Sequence, residues 1–226
     1  MVSTYLARCL AKICGDGYAY HRYLRYNNKS LVLLYEFKED IQKEFGKIRF
    51  TKGRVNSGTP FLQIQDKKVI TTFFAHLTSF KSDDIFIPFG VQQASLDVRL
   101  AFIRAFYDDE GSVVLRYYAK AREWKRNITL TSNSVRILIQ IKEILKTIGI
   151  ESNKLYRNAK DDRSYVLSIT GKDNFILFKK NISFKHPRKA LLLKFVLDSY
   201  TATPVRNSTY YRRLMEKLSL CRSLNG

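Results

Sequence analysis

The 226-residue sequence contains little cysteine, histidine, proline or glycine. Its three cysteines, Cys9, Cys14 and Cys221, form neither a CxxC pair nor an even set, which argues against a zinc knuckle and a disulfide framework. The three histidines are dispersed and show no metal-ligand spacing. With 4 prolines, 10 glycines and 45% apolar residues, the chain is neither collagen-like nor disordered, and it has enough apolar side chains for a sizeable core.

Long apolar runs are absent as well. Runs such as Ala190 to Leu193 fall well short of the roughly 18 residues that span a bilayer. No signal-peptide pattern is present at the start of the sequence. We therefore expect a soluble protein in the reducing interior of the cell.

Acidic residues are scarce compared with basic ones. The sequence has 20 Asp and Glu against 40 Lys and Arg, a formal net charge of +20. The basic residues are scattered along the chain and alternate with tyrosine in segments such as Tyr18–Tyr26 and Arg116–Trp124. This distribution favours a nucleic acid over a membrane surface as the partner, because membrane-binding segments concentrate their charge on one amphipathic helix.

The sequence contains an internal repeat. Tyr5–Tyr18 reads YLARCLAKICGDGY and Arg99–Ser112 reads RLAFIRAFYDDEGS, and the two segments align Asp16 with Glu110. We therefore predict two copies of one unit. The predicted boundaries are residues 1–81 for the first half, 82–95 for a linker, 96–200 for the second half and 201–226 for a basic C-terminal extension.

The same hydrophobic periods recur in both halves. Leu6, Leu10 and Ile13 predict a helix that ends at a glycine, and Leu100 and Ile103 predict its counterpart. Period-two alternation and turn residues follow, so each half is predicted to have the order αββαββα. The predicted strands are Tyr18–Tyr26, Leu31–Phe37, Ile48–Lys52 and Phe61–Gln65, then Ser112–Tyr118, Asn127–Thr131, Lys154–Asn158 and Tyr165–Thr170; the further helices are Lys38–Lys47, Lys67–Phe80, Ser134–Ile148 and Asp173–Ile182.

Two acidic residues occupy unfavourable positions. Asp16 and Glu110 each fall at the carboxyl end of a predicted helix, where unpaired carbonyl groups already carry partial negative charge. Small residues at i, i+4 spacing, such as Ala7 and Ala11, would let the two helices pack closely and bring both carboxylates together. Two such carboxylates raise each other's pKa unless divalent cations lie between them. Ligation by oxygen atoms alone favours Mg²⁺ over zinc.

These residues carry a resemblance to a known family. The segments CLAKICGDG and FIRAFYDDEG resemble the two signature motifs of the LAGLIDADG homing endonucleases, in particular the single-chain, two-motif members encoded in archaeal ribosomal RNA introns. The resemblance covers nearly all of Thr4 to Ser199. It implies an α+β fold with a pseudo-twofold duplication of αββαββα. Two four-stranded antiparallel sheets would form a saddle over DNA, with the motif helices at the interface.

The resemblance also implies a catalytic site. In this family the penultimate acidic residue of each motif binds divalent metal and cleaves one DNA strand, which maps onto Asp16 and Glu110. Two or three Mg²⁺ ions would lie between the motif helices, with Mn²⁺ or Ca²⁺ substituting for binding and with the backbone carbonyls of Gly15 and Asp109 as further ligands. Lys185 in the second half, and Lys81 or Lys38 in the first, would assist near the scissile phosphates. A polar residue that supports the attacking water is expected near Phe37 in the first half and near Ser132 in the second. The products would carry short 3′ overhangs, and a prokaryotic cytoplasm is the expected location.

Alternate strand residues are the candidate readers of DNA. Strands in the major groove distinguish base edges, and every second residue of a strand points to the same face. The different residues in the two halves predict a long, non-palindromic target. The candidates are Tyr18, Tyr20, Arg22, Tyr26, Arg49, Thr51, Gln63, Gln65, Ser112, Arg116, Tyr118, Lys120, Asn127, Thr129, Thr131, Lys154, Tyr156, Asn158, Ser168 and Thr170.

Two other functions fit the same fold. One is an RNA maturase that helps its host intron to splice, and the other is a DNA-binding regulator without cleavage. Retention of both Asp16 and Glu110 favours the nuclease, because a pure binding protein has no need of two repelling carboxylates. We therefore predict a monomeric, Mg²⁺-dependent, site-specific double-strand DNA endonuclease that does not bind membranes.

Overall fold

The computed structural model describes residues 1–118, 120, 121, 123–159, 161–201, 209, 213 and 216. The first half contains α1 (Thr4–Cys14), β1 (Gly17–Tyr20), β2 (Tyr23–Asn27), α2 (Leu31–Phe45), β3 (Phe50–Arg54), β4 (Pro60–Ile64) and α3 (Lys67–His76). A short helix, α4 (Phe89–Gln92), lies in the predicted linker. The second half contains α5 (Leu96–Glu110), β5 (Gly111–Tyr118), β6 (Glu123–Ser132), α6 (Val135–Thr147), β7 (Tyr156–Asn158), β8 (Asp161–Ile169), α7 (Lys172–Asn181) and α8 (Pro187–Asp198).

The two halves share one topology. The strand orders are β1-β2-β4-β3 and β5-β6-β8-β7, and all neighbouring strands are antiparallel. Each half therefore has the predicted order αββαββα, and the prediction of two four-stranded antiparallel sheets is confirmed. The boundaries of the halves stay a prediction. The predicted extension at 201–226 lies largely outside the described residues.

The helices α1 and α5 pack against each other at the centre of the molecule. Ala7, Ala11 and Ala105 are fully buried there, so small side chains line the place where the two backbones approach. Ser3 begins α1 as its N-cap, and its hydroxyl accepts the N–H of Leu6 at 3.0 Å. The two motif helices, one from each half, therefore meet at the interface between the halves.

The first hairpin is shorter than the sequence predicts. A turn at His21 and Arg22 splits the predicted strand Tyr18–Tyr26 into β1 and β2, with Tyr20 paired to Tyr23. The turn reverses which residues face outward, so Leu24 and Tyr26 are fully buried. The prediction that Tyr26 contacts DNA is therefore wrong.

The predicted strand Leu31–Phe37 is also wrong, because these residues form the first turns of α2. Leu33, Phe37 and Ile41 are fully buried at i, i+4 and i+8, which is the period of a helix and not of a strand. The backbone carbonyl of Ser30 accepts the first helical N–H groups. Phe37 belongs to the core, so it cannot be the polar residue expected near that position.

Buried ion pairs join the two halves. The ammonium of Lys12 is fully buried and lies 3.2 Å from Glu36 on α2, and Arg104 on α5 lies 2.7 Å from the other oxygen of Glu36. Burial opposes the charged form of Glu36, but the two cations outweigh it and lower the pKa of Glu36. Three helices from both halves are thereby tied together at one carboxylate.

The described residues include no helix that combines the length and apolar composition needed to cross a bilayer. The buried apolar residues of both halves form one core cluster.

Candidate active site

The two acids lie side by side because the ends of α1 and α5 touch. Gly15 follows the last residue of α1, and its N–H donates to the carbonyl of Ala11 at 2.9 Å. A Cβ atom on Gly15 would lie 3.0 Å from the Cβ of Asp109 and 3.5 Å from Oε1 of Glu110. A side chain on Gly15 would therefore press against the side chain of Asp109. Asp16 and Glu110 therefore emerge from one junction between the two halves.

The electrostatics of this junction disfavour the charged forms of both acids. Burial, together with the charge of Asp16, raises the pKa of Glu110 from 4.5 to about 7. Loss of surrounding water also raises the pKa of Asp16, although Lys189, Lys12 and Asn28 oppose that rise. Both carboxylates therefore gain from a cation placed between them.

Asn28 connects the two halves at the base of the site. Its Nδ2 donates to Oδ2 of Asp16 at 2.9 Å and to Oδ1 of Asp109 at 3.1 Å. Its Oδ1 accepts the N–H of Ser30 at 2.9 Å. The hydroxyl of Tyr26 donates to Oδ1 of Asp109 at 2.6 Å. Sequence reasoning interpreted Asn28 only as a turn residue and missed this role.

Lys189 on α8 lies beside the acids. Its Nζ donates to the carbonyls of Tyr107, Asp108 and Asp109 at 3.2, 2.5 and 3.2 Å, at the end of α5 where carbonyls are unpaired. Burial lowers the pKa of Lys189, and the surrounding acids oppose that shift. The sequence analysis missed this residue and chose Lys185.

Lys185 contacts the end of α5 through its backbone and not through its ammonium group. Its side chain is exposed, whereas its backbone N–H donates to Oδ1 of Asp108 at 2.9 Å. The N–H of His186 donates to the same oxygen at 2.9 Å. The Asp108 carboxylate, near the end of α5, therefore binds the backbone N–H groups that precede α8. The Lys189 ammonium, on α8, in turn binds the carbonyls at the end of α5. An assisting role for the Lys185 ammonium stays a prediction.

Two cavities flank the junction. The larger, about 500 Å³, contains Asp16, Asn28, Asp109, His186 and Lys189 among its lining residues. The smaller, about 290 Å³, is lined by residues that include Gly15, Glu110, Ser132, Asn133 and Asn158. Each acid therefore faces its own cavity. The expectation of a polar residue near Ser132 agrees with its place in the lining of the second.

The carboxylate oxygens at the junction could bind divalent cations if substrate phosphates and water complete the ligand set. No group of three or more His, Cys, Asp or Glu side chains with metal-binding geometry occurs among the described residues. Mg²⁺ is commonly bound by one or two carboxylates together with substrate phosphates and water, and a complete protein cage is not required. Asp16 and Glu110 provide such a pair. Oδ2 of Asp109 is buried without a hydrogen-bond partner beside them. The carbonyl of Asp109, predicted as a metal ligand, accepts a hydrogen bond from Lys189, and that of Gly15 lies at the helix junction.

Some of the predicted DNA-contacting residues form rows across the sheets, because cross-strand neighbours share a face. One row on the first sheet contains Tyr18, Arg25, Gln63 and Thr51, and one on the second contains Ser112, Thr129 and Ser168. The predicted residues differ in exposure. The exposed candidates are Tyr18, Tyr20, Arg22, Arg49, Thr51, Gln65, Ser112, Arg116, Tyr118, Lys120, Lys154, Tyr156 and Thr170; Asn127, Thr129, Thr131 and Asn158 are half-buried, and Gln63 and Ser168 are buried.

Arg25 is a further polar residue on this face that the sequence analysis missed. Its guanidinium donates to Oε1 of Gln63 at 2.7 Å and lies 4.3 Å from the ring centre of Phe61. Ser168 is held in a comparable way, because its hydroxyl donates to Oδ1 of Asn127 at 2.7 Å. Polar groups on both sheets are thus fixed by their neighbours before any partner binds.

Comparison with known proteins agrees with this architecture. Residues 97–183 match the model of a family described as a LAGLIDADG-like domain. The match covers less than half of the chain. It contains all of α5 after Leu96, including Glu110, and the whole second sheet, and it ends before Lys189 on α8. The first half has the same topology, so the chain has the two-motif LAGLIDADG fold, as the sequence predicted.

Solved structures share this fold, and one curated relative matches part of the sequence. The homing endonuclease I-DmoI in complex with DNA and Ca has a TM-score of 0.61 and 18% identity, over 84% of this chain and 97% of that chain. The N-terminal LAGLIDADG domain of DUF199/WhiA has a TM-score of 0.52 and 11% identity, over 79% and 80% of the two chains. The DNA polymerase of Thermococcus kodakarensis is 28% identical over 120 residues, which span 49% of this chain but only 6% of the polymerase.

Proposed function

We propose that this LAGLIDADG chain is a site-specific double-strand DNA endonuclease that depends on a divalent metal. The observation that carries the proposal is the pair Asp16 and Glu110, which meet where α1 and α5 touch and face separate cavities. A protein that only binds nucleic acid gains nothing from two repelling acids in such a place. I-DmoI, which shares the fold, has been crystallised with DNA and Mn and with DNA and Ca.

Each acid is proposed to serve one DNA strand. Bound cations would supply Lewis-acid activation and neutralise charge during hydrolysis of the phosphodiester. Asp16 and Glu110 provide oxygen ligands for them, and Asn28 fixes the direction of the Asp16 carboxylate through a hydrogen bond of 2.9 Å. Lys189 places a positive charge beside both acids. The protein residues therefore bind and orient, and no side-chain nucleophile is required.

The two sheets are proposed to bind DNA as one monomer over a long target. The net charge of +20 supports attraction to phosphates. The first hairpin pairs Gly17–Tyr20 with β2, whereas the second pairs Gly111–Tyr118 with β6, so the second arm is about twice as long. Unequal arms with different side chains favour a non-palindromic target. Cutting of both strands near the centre, with short 3′ overhangs, is part of the proposal.

A plasmid assay tests this function. A supercoiled plasmid carries the uninterrupted host gene, rejoined without the sequence that encodes this chain, and is incubated with the protein and Mg²⁺ or with EDTA. We expect linear DNA only with Mg²⁺, and no linear DNA from Asp16→Asn or Glu110→Gln. Glu143→Gln, which changes an exposed acid on α6, serves as the matched control and is expected to cut as the unmodified protein does.

Other outcomes identify the rival functions. Retention of the structured host RNA without DNA cutting would indicate a maturase. Binding of the plasmid without cutting under every metal condition would indicate a DNA-binding regulator. Linear DNA from either acid variant would refute the assignment of Asp16 and Glu110.

A further inference from the structure

The two halves differ at the residue that precedes each acid. The repeat aligns Gly15 with Asp109, just as it aligns Asp16 with Glu110. Gly15 has no side chain, and Asp109 has a carboxylate. The two residues face each other across the helix junction, because a Cβ atom on Gly15 would lie 3.0 Å from the Cβ of Asp109.

The Asp109 side chain crosses from the second half into the first. Its Oδ1 accepts the hydroxyl of Tyr26 at 2.6 Å and Nδ2 of Asn28 at 3.1 Å. Tyr26 is fully buried on β2, and its ring packs 5.0 Å from that of Phe37. The carboxylate of Asp109 is thereby anchored to a rigid part of the first half.

Asn28 links the anchored Asp109 carboxylate to Asp16. The amide oxygen of Asn28 accepts the N–H of Ser30, so its nitrogen must face the acids. That nitrogen donates to both Asp109 and Asp16. An amide held at both ends has one orientation, and Asp16 therefore receives a hydrogen bond with a fixed direction.

The centre around Glu110 has no matching arrangement among the described residues. Ser132 lies at the end of β6 as Asn28 lies after β2, and its hydroxyl accepts the N–H of Ser134 at 3.1 Å. This repeats the contact of Asn28 with Ser30. In the described part of the chain, however, no side chain donates a hydrogen bond to the Glu110 carboxylate, and Gly15 offers no anchor.

We infer that Asp109 is a positioning residue for the opposite half: through Asn28 it orients Asp16, and among the described residues it has no counterpart at the Glu110 centre. The inference rests on the proposed nuclease function. Asp109 does not touch the DNA in this scheme, and its effect reaches the reaction only through the position of Asp16. Its loss is therefore expected to slow one strand and spare the other.

Strand-resolved cleavage tests the inference. The plasmid region is amplified as a duplex with a different fluorescent label on each strand, and Asp16→Asn first identifies the strand that depends on Asp16. Asp109→Ala is expected to slow that strand by about 10- to 100-fold, the cost typical of a displaced catalytic group. The other strand is expected to change by less than about threefold, so nicked DNA accumulates.

Two further variants separate positioning from folding. Asp109→Asn keeps an oxygen that accepts from Tyr26 and Asn28, so it is expected to restore cutting to within about threefold of the unmodified rate. Asn28→Ala breaks the same link from the first half and is expected to slow the same strand. If Asp109→Ala fails to fold, the Asn28→Ala variant still tests the positioning role. The double variant is expected to lose no more than either single variant, because both remove one connection.

The possible failures are distinct. An unmodified protein that cuts neither strand with Mg²⁺ would overturn the proposed function. An unmodified protein that cuts both strands, with Asp109→Ala and Asn28→Ala slowing both strands equally, would overturn the positioning role while leaving the nuclease function intact.

Discussion

Replacing Glu110 by glutamine is expected to stabilise the metal-free protein at alkaline pH. The pKa of Glu110 is raised from 4.5 to about 7 by burial and by Asp16. Between these pH values the folded protein binds more protons than the unfolded chain does. The free energy of unfolding therefore falls as the pH rises through this window and stays low above it. A glutamine at this position has no charge and avoids the loss.

The size of the effect follows from the pKa. The difference between 4.5 and about 7 corresponds to about 3 kcal/mol at about 1.4 kcal/mol per pH unit. Solvent reaches part of the half-buried side chain and screens its charge, so we expect a gain of about 2 kcal/mol at pH 8. At pH 4.5 the carboxylic acid is neutral in the folded protein and half neutral in the unfolded chain, so the gain is expected to shrink to less than about 0.5 kcal/mol.

Urea denaturation in EDTA at pH 8 and pH 4.5 measures this difference. Glu143→Gln removes an exposed acid and is the control, with an expected change within about 0.5 kcal/mol at both pH values. Mg²⁺ should stabilise the unmodified protein more than Glu110→Gln, because it binds the carboxylate of the folded state. A Glu110→Gln protein that is no more stable than the unmodified one at pH 8, or equally stabilised at pH 4.5, would refute the account of the paired acids.

Three further predictions concern other parts of the molecule. Glu36→Gln leaves the buried ammonium of Lys12 without a carboxylate and is expected to lower the free energy of unfolding by about 3 kcal/mol; an unchanged urea midpoint would contradict this. Lys189→Met is expected to slow plasmid cutting at least about tenfold, because it removes a cation from the acids, whereas Lys185→Met should have a smaller effect; the reverse order would restore Lys185 as the assisting residue. DNA binding followed by fluorescence anisotropy is expected to weaken with salt at a log–log slope of roughly −9, for about 10 neutralised phosphates; a slope near zero would exclude the charged strand faces as the binding surface.

Much of the fold was predictable because the chain contains two copies of one unit, and the same helix and strand periods occur in both. The strand predicted at Leu31–Phe37 failed because Leu, Val, Tyr and Phe suit strands locally, while the helix depends on burial of Leu33, Phe37 and Ile41 along one side. The turn at His21 and Arg22 contains neither glycine nor asparagine, so it gave no sequence signal. Tertiary packing decided both segments.

The candidate site was predictable only in part. Asp16 and Glu110 follow from motif spacing, because the helix that carries each acid also sets its position. Asn28 and Lys189 reach the site from distant segments, through a loop after β2 and through α8, and no local pattern indicates where such side chains point. Lys185 and Lys189 are one turn apart, and only the capping contacts distinguish them.

The ion pairs of Glu36 affect chimeras in which one half of this chain is replaced by that of a relative. The two cationic partners of Glu36 come from different halves, Lys12 from the first and Arg104 from the second. A chimera that keeps Glu36 but receives a foreign second half without the arginine would leave Glu36 with Lys12 alone and remove its ion pair across the seam. Exchange of halves should therefore cost less stability when the arginine and the glutamate are inherited together.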